Sequence, residues 1–291
     1  MFKGKPPFSL YQRYFQNMHQ PGPIAVFDSG YGGLTILNDL LSSFPEYDFT
    51  YLGDNARSPY GGRSFDVVYR YTLQAVKSLF AMGSPLVILA CNTASAKALR
   101  TIQQIDLPHI DASRRVLGVI RPSAEKIGEL TQSGCVGVLG TTGTVLSESY
   151  PLEIKKLFPH IRVEQEACPM WVPLVENNEH LSEGAHFFVK KNIENLFKKA
   201  PETDTIILGC THYPLLKPVI KKHVPAGVRI ISQGPIVAES LKDYFARHPE
   251  MESRISRNNR CLFYTTEHPN KFSQTASIFM DREITAIRLE Y

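Results

Sequence analysis

No stretch of this chain is both long and apolar enough to cross a bilayer. The longest uncharged run, Ser78 to Ala96, is interrupted by Gly83, Pro85, Asn92, Thr93 and Ser95, which excludes a transmembrane helix. No secretory leader is expected either. Lys3 and Lys5 are followed by Pro6, Pro7, Gln12, Arg13, Gln16 and Asn17, so no apolar core of the required length forms, and the protein reads as cytoplasmic. Charge of one sign is in short supply: Lys plus Arg number 32 against 28 Asp plus Glu, a net +4, with no run of five like charges. Neither nucleic acid nor an anionic membrane is demanded as a partner. Five cysteines are an odd count without an export signal, so no disulfide framework is expected and each thiol is judged on its surroundings.

Metal and nucleotide signatures are weak too. No pair among Cys91, Cys210, His212 and Asp28 has the tight Cys-x-x-Cys or His-Glu-x-x-His spacing of a zinc site, so no metal is expected. The Gly-rich turn Ser29 to Gly33 has neither the full dinucleotide fingerprint nor the lysine of a P-loop, and no cofactor is expected. What remains is an ordinary globular composition, 43% hydrophobic and 21% charged, over 291 residues. At roughly 150 residues per domain, that length implies about two domains.

Strand and helix alternate along the chain. Ile24 to Phe27 is an apolar run before a Gly-rich turn, and Leu34, Leu37, Leu40, Leu41 and Phe44 then recur at helical spacing up to Pro45. A short strand from Phe49 to Leu52, a Pro/Gly loop and a helix from Ser64 follow, with Gly83 as its stop. Leu86 to Ala90 is apolar without alternation, which suggests a strand covered on both faces. A second series starts near Val116: Leu117 to Ile120, a helix from Pro122, Cys135 to Leu139, the Gly/Thr loop Gly140 to Thr144, a helix to Phe158, a helix Ser182 to Ala200, and Ile206 to Leu208. Such alternation predicts an α/β protein of two similar domains, parallel sheets flanked by helices, with the site in the cleft between them.

A loose internal repeat points to chemistry. One strand of the first half ends in Asp28-Ser29-Gly30 with Gly32-Gly33, and another in Ala90-Cys91-Asn92-Thr93. In the second half the ends are Gly140-Thr141-Thr142-Gly143-Thr144 and Gly209-Cys210-Thr211-His212. Each half offers a polar Gly loop and one cysteine at strand carboxyl ends, where open parallel sheets bind ligands. Two opposed thiols suit a reaction that inverts a carbon centre by removing a proton on one face and returning one on the other. A thiol's reference pKa of about 8.5 allows either form near neutrality. Both cysteines precede expected helix starts that favour thiolate, and Asp28 and His212 stand ready as proton-handling neighbours. Cys135, Cys168 and Cys261 are read as packing residues. A thiol hydrolase using Cys210 and His212 would leave Cys91 unexplained.

Taken together, these motifs resemble those of the glutamate racemases of the aspartate/glutamate racemase family. The resemblance also takes in Gly53-Asp54 with Ala56-Arg57, Pro59-Tyr60-Gly61, Val172-Pro173-Leu174-Val175-Glu176 and the extension of the last motif to Tyr213-Pro214. It implies a cofactor-independent, two-base interconversion of L- and D-glutamate that supplies peptidoglycan synthesis. Cys91 would be the base toward D-glutamate and Cys210 toward L-glutamate, with Asp28, His212 and Glu176 assisting. Substrate contacts implied by motif are Asp28, Ser29, Pro59, Tyr60, Gly61, Asn92, Thr93, Thr141, Thr144, Thr211 and His212. Domains are expected at 23–114 plus 229–291 and at 115–228, the return of the chain resting on the resemblance alone, with 1–22 as an N-terminal extension. Dimers occur in the family. Alternatives are an aspartate racemase and a non-catalytic amino-acid-binding module; the module has no need of either thiol.

Overall fold

A computed structural model describes residues 20–280 and 282–291. Ten parallel strands form two sheets. The first contains β1 (Ile24–Asp28), β2 (Phe49–Gly53), β3 (Leu86–Leu89), β4 (Arg115–Gly118), β9 (Cys261–Thr265) and β10 (Ala286–Arg288), in the order β10-β9-β2-β1-β3-β4. The second contains β5 (Cys135–Gly140), β6 (Arg162–Ala167), β7 (Thr205–Gly209) and β8 (Arg229–Ile231), in the order β6-β5-β7-β8. The two-lobed α/β architecture expected from the alternation is the one observed.

Central strands β1, β2, β3, β5 and β7 are buried at every position, because helices cover both faces of each sheet. Each fully buried Leu or Ile in them contributes roughly 1.5–3 kcal/mol of transfer free energy. The main helices are α1 (Leu34–Ser43), α2 (Phe65–Ala81), α3 (Asn92–Lys97), α4 (Ile120–Leu130), α5 (Thr142–Leu146), α6 (Ser149–Leu157), α7 (Trp171–Glu176), α8 (Glu183–Lys199), α9 (Gln233–Arg247) and α10 (Pro269–Met280). Helix α2 buries Val68, Thr72, Ala75, Val76 and Leu79 at helical spacing, while Phe65 at its first turn is exposed. It stops at Gly83, whose φ of +97° only glycine adopts without strain.

Both expected crossing points fall one short strand early. Residues 115–118 form β4, which pairs with β3 in the first sheet, and residues 229–231 form β8, which pairs with β7 in the second. The chain therefore crosses between lobes near Val119 and again near Ser232, and α9 returns to pack on α1 of the first lobe and α4 of the second. Of the expected extension, residues 1–19 lie outside the described residues. Gly22 is already part of the first lobe, donating to the Arg254 carbonyl at 2.9 Å and accepting from the Ser256 amide at 2.9 Å. The segment Gly140 to Thr144, expected as a loop, is instead the end of β5 at Gly140 and the start of α5, which the Thr141 side chain caps by accepting from the Thr144 amide.

Candidate active site

The carboxyl ends of β1 and β3 in one lobe face those of β5 and β7 in the other. Cys91 follows β3 and is the N-cap of α3, its sulfur accepting from the Ala94 amide at 3.4 Å. It also donates to the Ser29 hydroxyl at 3.4 Å. Burial pushes this thiol up to about 12, the Asp28 charge adding to the rise, while the Ser29 and Ala94 hydrogen bonds oppose it and the charge of Cys210 adds a little more. That last influence places the two thiols in one electrostatic environment.

Cys210 follows β7. The expected helix starts late behind it: a short 3-10 turn, Tyr213–Leu216, runs directly into a four-residue α-helix, Lys217–Ile220. Its partner is His212, whose Nδ1 is 3.9 Å from the sulfur and whose Nε2 is 3.0 Å from Glu176 Oε1 at the end of α7. Burial works to lower the His212 pKa, but its bonds to Cys210 and Glu176 outweigh this and hold it up at about 10. The protonated form of the imidazole is thereby favoured, between the Cys210 sulfur and the Glu176 carboxylate.

Asp28, at the end of β1, makes no hydrogen bond to Cys91. Its Oδ1 accepts from the Gly30 amide at 2.9 Å and its Oδ2 from the Thr211 hydroxyl at 3.3 Å, so it reaches across the cleft to the Cys210 turn. Burial raises its pKa, with the His212 charge opposing that rise.

Direct contacts close the seam between the lobes. Thr93 Oγ1 lies 3.0 Å from Thr141 Oγ1 and 3.4 Å from Thr144 Oγ1, and Thr141 and Thr144 are 3.1 Å apart. The Gly143 amide donates to the Gly61 carbonyl at 2.7 Å, and Thr35 Oγ1 donates to the Thr211 carbonyl at 3.0 Å. Gly32 permits the closest approach: a Cβ there would lie 2.3 Å from Thr211 Oγ1 and 2.4 Å from His212 Nδ1.

Two expected contact residues have their polar ends engaged elsewhere. The Tyr60 hydroxyl donates to Asp54, which Arg57 also grips, so its ring is a buried strut of the loop carrying Pro59 and Gly61. Asn92 donates to Gln233 Oε1 at 2.6 Å and accepts from the Tyr150 hydroxyl at 2.7 Å. Gln233 in turn donates to the Val119 carbonyl, Ser123 Oγ and Tyr150. This network ties both lobe crossings to the residue after Cys91. Sequence reasoning assigned residues 231–234 no role; a glutamine beside a glycine at a lobe crossing was the available signal.

The remaining thiols pack. Cys135 contacts Thr203 Oγ1 at 3.6 Å and Cys168 the Glu166 carbonyl at 3.6 Å, both buried, and Cys261 is half-buried at the start of β9. Among the described residues, no group of three or more His, Cys, Asp or Glu is placed to hold a metal ion. No helix there is long and apolar enough to cross a membrane.

Residues 50–241 match the family model described as Asp/Glu/Hydantoin racemase. A glutamate racemase of Streptococcus suis is 36% identical over 92% of this chain and 98% of its own length. Among solved structures, a glutamate racemase isoform of Bacillus anthracis superposes with a TM-score of 0.84 at 32% identity, covering 94% of this chain and 98% of the other. The glutamate racemase of Francisella tularensis, solved in complex with D-glutamate, gives 0.81 at 31% identity over 93% and 97%.

Proposed function

This chain belongs to the Asp/Glu/hydantoin racemase family, on the branch of the glutamate racemases and hence among the amino-acid isomerases, and from that premise we propose that it interconverts L- and D-glutamate by proton transfer between Cys91 and Cys210. The observation that carries this reading is the placement of the two thiols. Each stands at the end of a central strand of a different lobe, both are buried in the same cleft, and each is held by its own polar partners. A single base cannot reach both faces of a carbon centre; two opposed thiols can.

The proton balance is simple. With D-glutamate bound, the Cys91 thiolate takes the Cα proton and the Cys210 thiol returns one on the opposite face; with L-glutamate the roles reverse. The product leaves each sulfur in the other's starting state. Asp28 bears on Cys91 through its charge, which disfavours thiolate in the empty cleft. A substrate ammonium placed against Asp28 offsets that charge and releases the thiol to ionise. His212, whose pKa is raised by its bonds to Cys210 and Glu176, stands beside the Cys210 sulfur as the group that passes charge between it and Glu176.

Ser29, Thr93, Thr141, Thr144 and Thr211 supply hydroxyls and the Pro59–Gly61 loop supplies backbone groups for the substrate carboxylates. Asn92 acts from behind, holding α3 through Gln233 and Tyr150. We place the reaction in the cytoplasm, with D-glutamate going to peptidoglycan synthesis.

The test is incubation of pure L-glutamate and, separately, L-aspartate with metal-free protein in heavy water, following optical rotation and α-deuterium. Loss of rotation with deuterium uptake from glutamate is the expected result. Uptake from aspartate alone makes the protein an aspartate racemase, and no uptake from either by folded protein overturns the enzymatic reading.

A further inference from the structure

One cation at the lobe seam has no part in the proton transfer. Lys97 ends α3, one helical turn beyond Thr93 and therefore on the same face of the helix. The residue is 8% exposed. Its ammonium donates to the Arg63 carbonyl at 2.7 Å, and no carboxylate pairs with it among the described residues. Burial lowers its pKa, and no neighbouring negative charge offsets that fall. A buried charge without a counter-ion is costly, and buried lysines are ordinarily paired.

The position of this unpaired cation is informative. A Cβ on Gly143 would lie 2.9 Å from Lys97 Nζ and 2.8 Å from the Gly61 carbonyl oxygen. The ammonium therefore sits beside the Gly61–Gly143 hydrogen bond, next to the first turn of α5 and its cap Thr141, which meets Thr93 across the seam. Around it are hydroxyls and a helix start, and no acid. The acidic groups of the site, Asp28 and Glu176, gather instead around Thr211 and His212. The cleft is thus polarised, with carboxylates toward the Cys210 turn and an uncompensated ammonium toward the Thr93–Thr141–Thr144 cluster.

We infer that Lys97 is a specificity-determining residue, supplying the positive charge toward which the side-chain carboxylate of the substrate is drawn and selecting an acidic amino acid over its neutral amide. This deepens the racemase reading and rests on it for the identity of the substrate. The charge of that distal carboxylate does not change while the proton moves at Cα. Lys97 therefore stabilises the bound substrate and the transition state alike, and its effect falls on KM far more than on kcat.

The experiment compares wild type, Lys97→Met and Lys97→Arg by thermal unfolding in rising L-glutamate and, separately, rising L-glutamine, with racemisation kinetics alongside. For Lys97→Met, the glutamate concentration giving a set stabilisation rises by about tenfold, the KM for glutamate rises in step, and kcat stays within about threefold. Its response to glutamine matches that of wild type, its ligand-free form melts no lower than wild type, and Lys97→Arg recovers most of the glutamate response. The inference is overturned by an unchanged glutamate response, by equal weakening toward glutamate and glutamine, by a lower ligand-free melting temperature, or by a wild type that glutamate fails to stabilise. Absence of turnover by wild type strikes at the racemase reading alone, because the unfolding comparison decides the role of Lys97 without turnover.

Discussion

Cys91 and Cys210 stand at matching places in the two lobes, each beyond the carboxyl end of a buried strand, yet their surroundings differ in kind. Around Cys91 the groups in contact are fixed dipoles, the Ser29 hydroxyl and the Ala94 amide, with Asp28 acting only through its charge. Around Cys210 a titratable relay runs from sulfur through His212 to Glu176. One thiol has a titratable imidazole at its side, whereas the other is pushed up to about 12 by burial and the charge of Asp28. In the two-base reaction proposed above, a pair that must hold opposite protonation states is easier to poise when its two halves are tuned by different means.

The harshest way to break this comparison is to remove a thiol. Cys91→Ser and Cys210→Ser should each lower racemisation by about 10³-fold or more in both directions, measured by polarimetry. Each should also leave one-sided chemistry: Cys91→Ser still exchanges the α-proton of L-glutamate, and Cys210→Ser that of D-glutamate. Equal exchange from both enantiomers by either variant would contradict the assignment of faces.

The relay can be cut next. His212→Gln should reduce kcat by about 10²-fold and the L-glutamate direction should show the larger loss in kcat, as read from initial rates in each direction. Because folding raises the His212 pKa from 6.5 to about 10, its contribution to stability is full below pH 6.5 and is lost as pH rises toward 10. Wild type should therefore lose more stability than His212→Gln between those limits in denaturant titrations.

Gly32→Ala sharpens the comparison on the same side. Its Cβ would collide with Thr211 and His212, so the Cys210 turn must retreat, and kcat/KM should fall by about 10–100-fold while Cys91 keeps its neighbours. The smallest effect is expected from a thiol outside the pair. Cys135→Ala should cost about 1 kcal/mol of stability or less in urea unfolding and leave racemisation unchanged.

Much of this is legible in the sequence. Leu86 to Ala90 is apolar and unalternating, so a strand ending at a Cys-Asn-Thr sequence stood out, as did the matching end at Gly209-Cys210. The lobe crossings were misplaced because β4 and β8 are short edge strands with exposed first residues, and their apolar signal is correspondingly thin. Gln233 was illegible for another reason: its partners at 92, 119, 123 and 150 are far away in sequence, and no local pattern encodes such a meeting. Asp28 showed the same limit. Its residue type suggested help for Cys91, but only three-dimensional packing could direct its oxygen to Thr211.

The double crossing of the chain also bears on synthesis at the ribosome. The second sheet is complete once β8 has emerged, whereas the first still lacks β9 and β10. Until those strands arrive, β2 presents an unpaired edge on the nascent first lobe, the kind of edge that invites pairing with other chains. Helix α9, which brings Gln233 to Asn92, also comes after both cysteines have been translated. The polypeptide thus holds both thiols well before it holds the scaffold that sets them in place, and maturation of the enzyme is timed by its C-terminal segment.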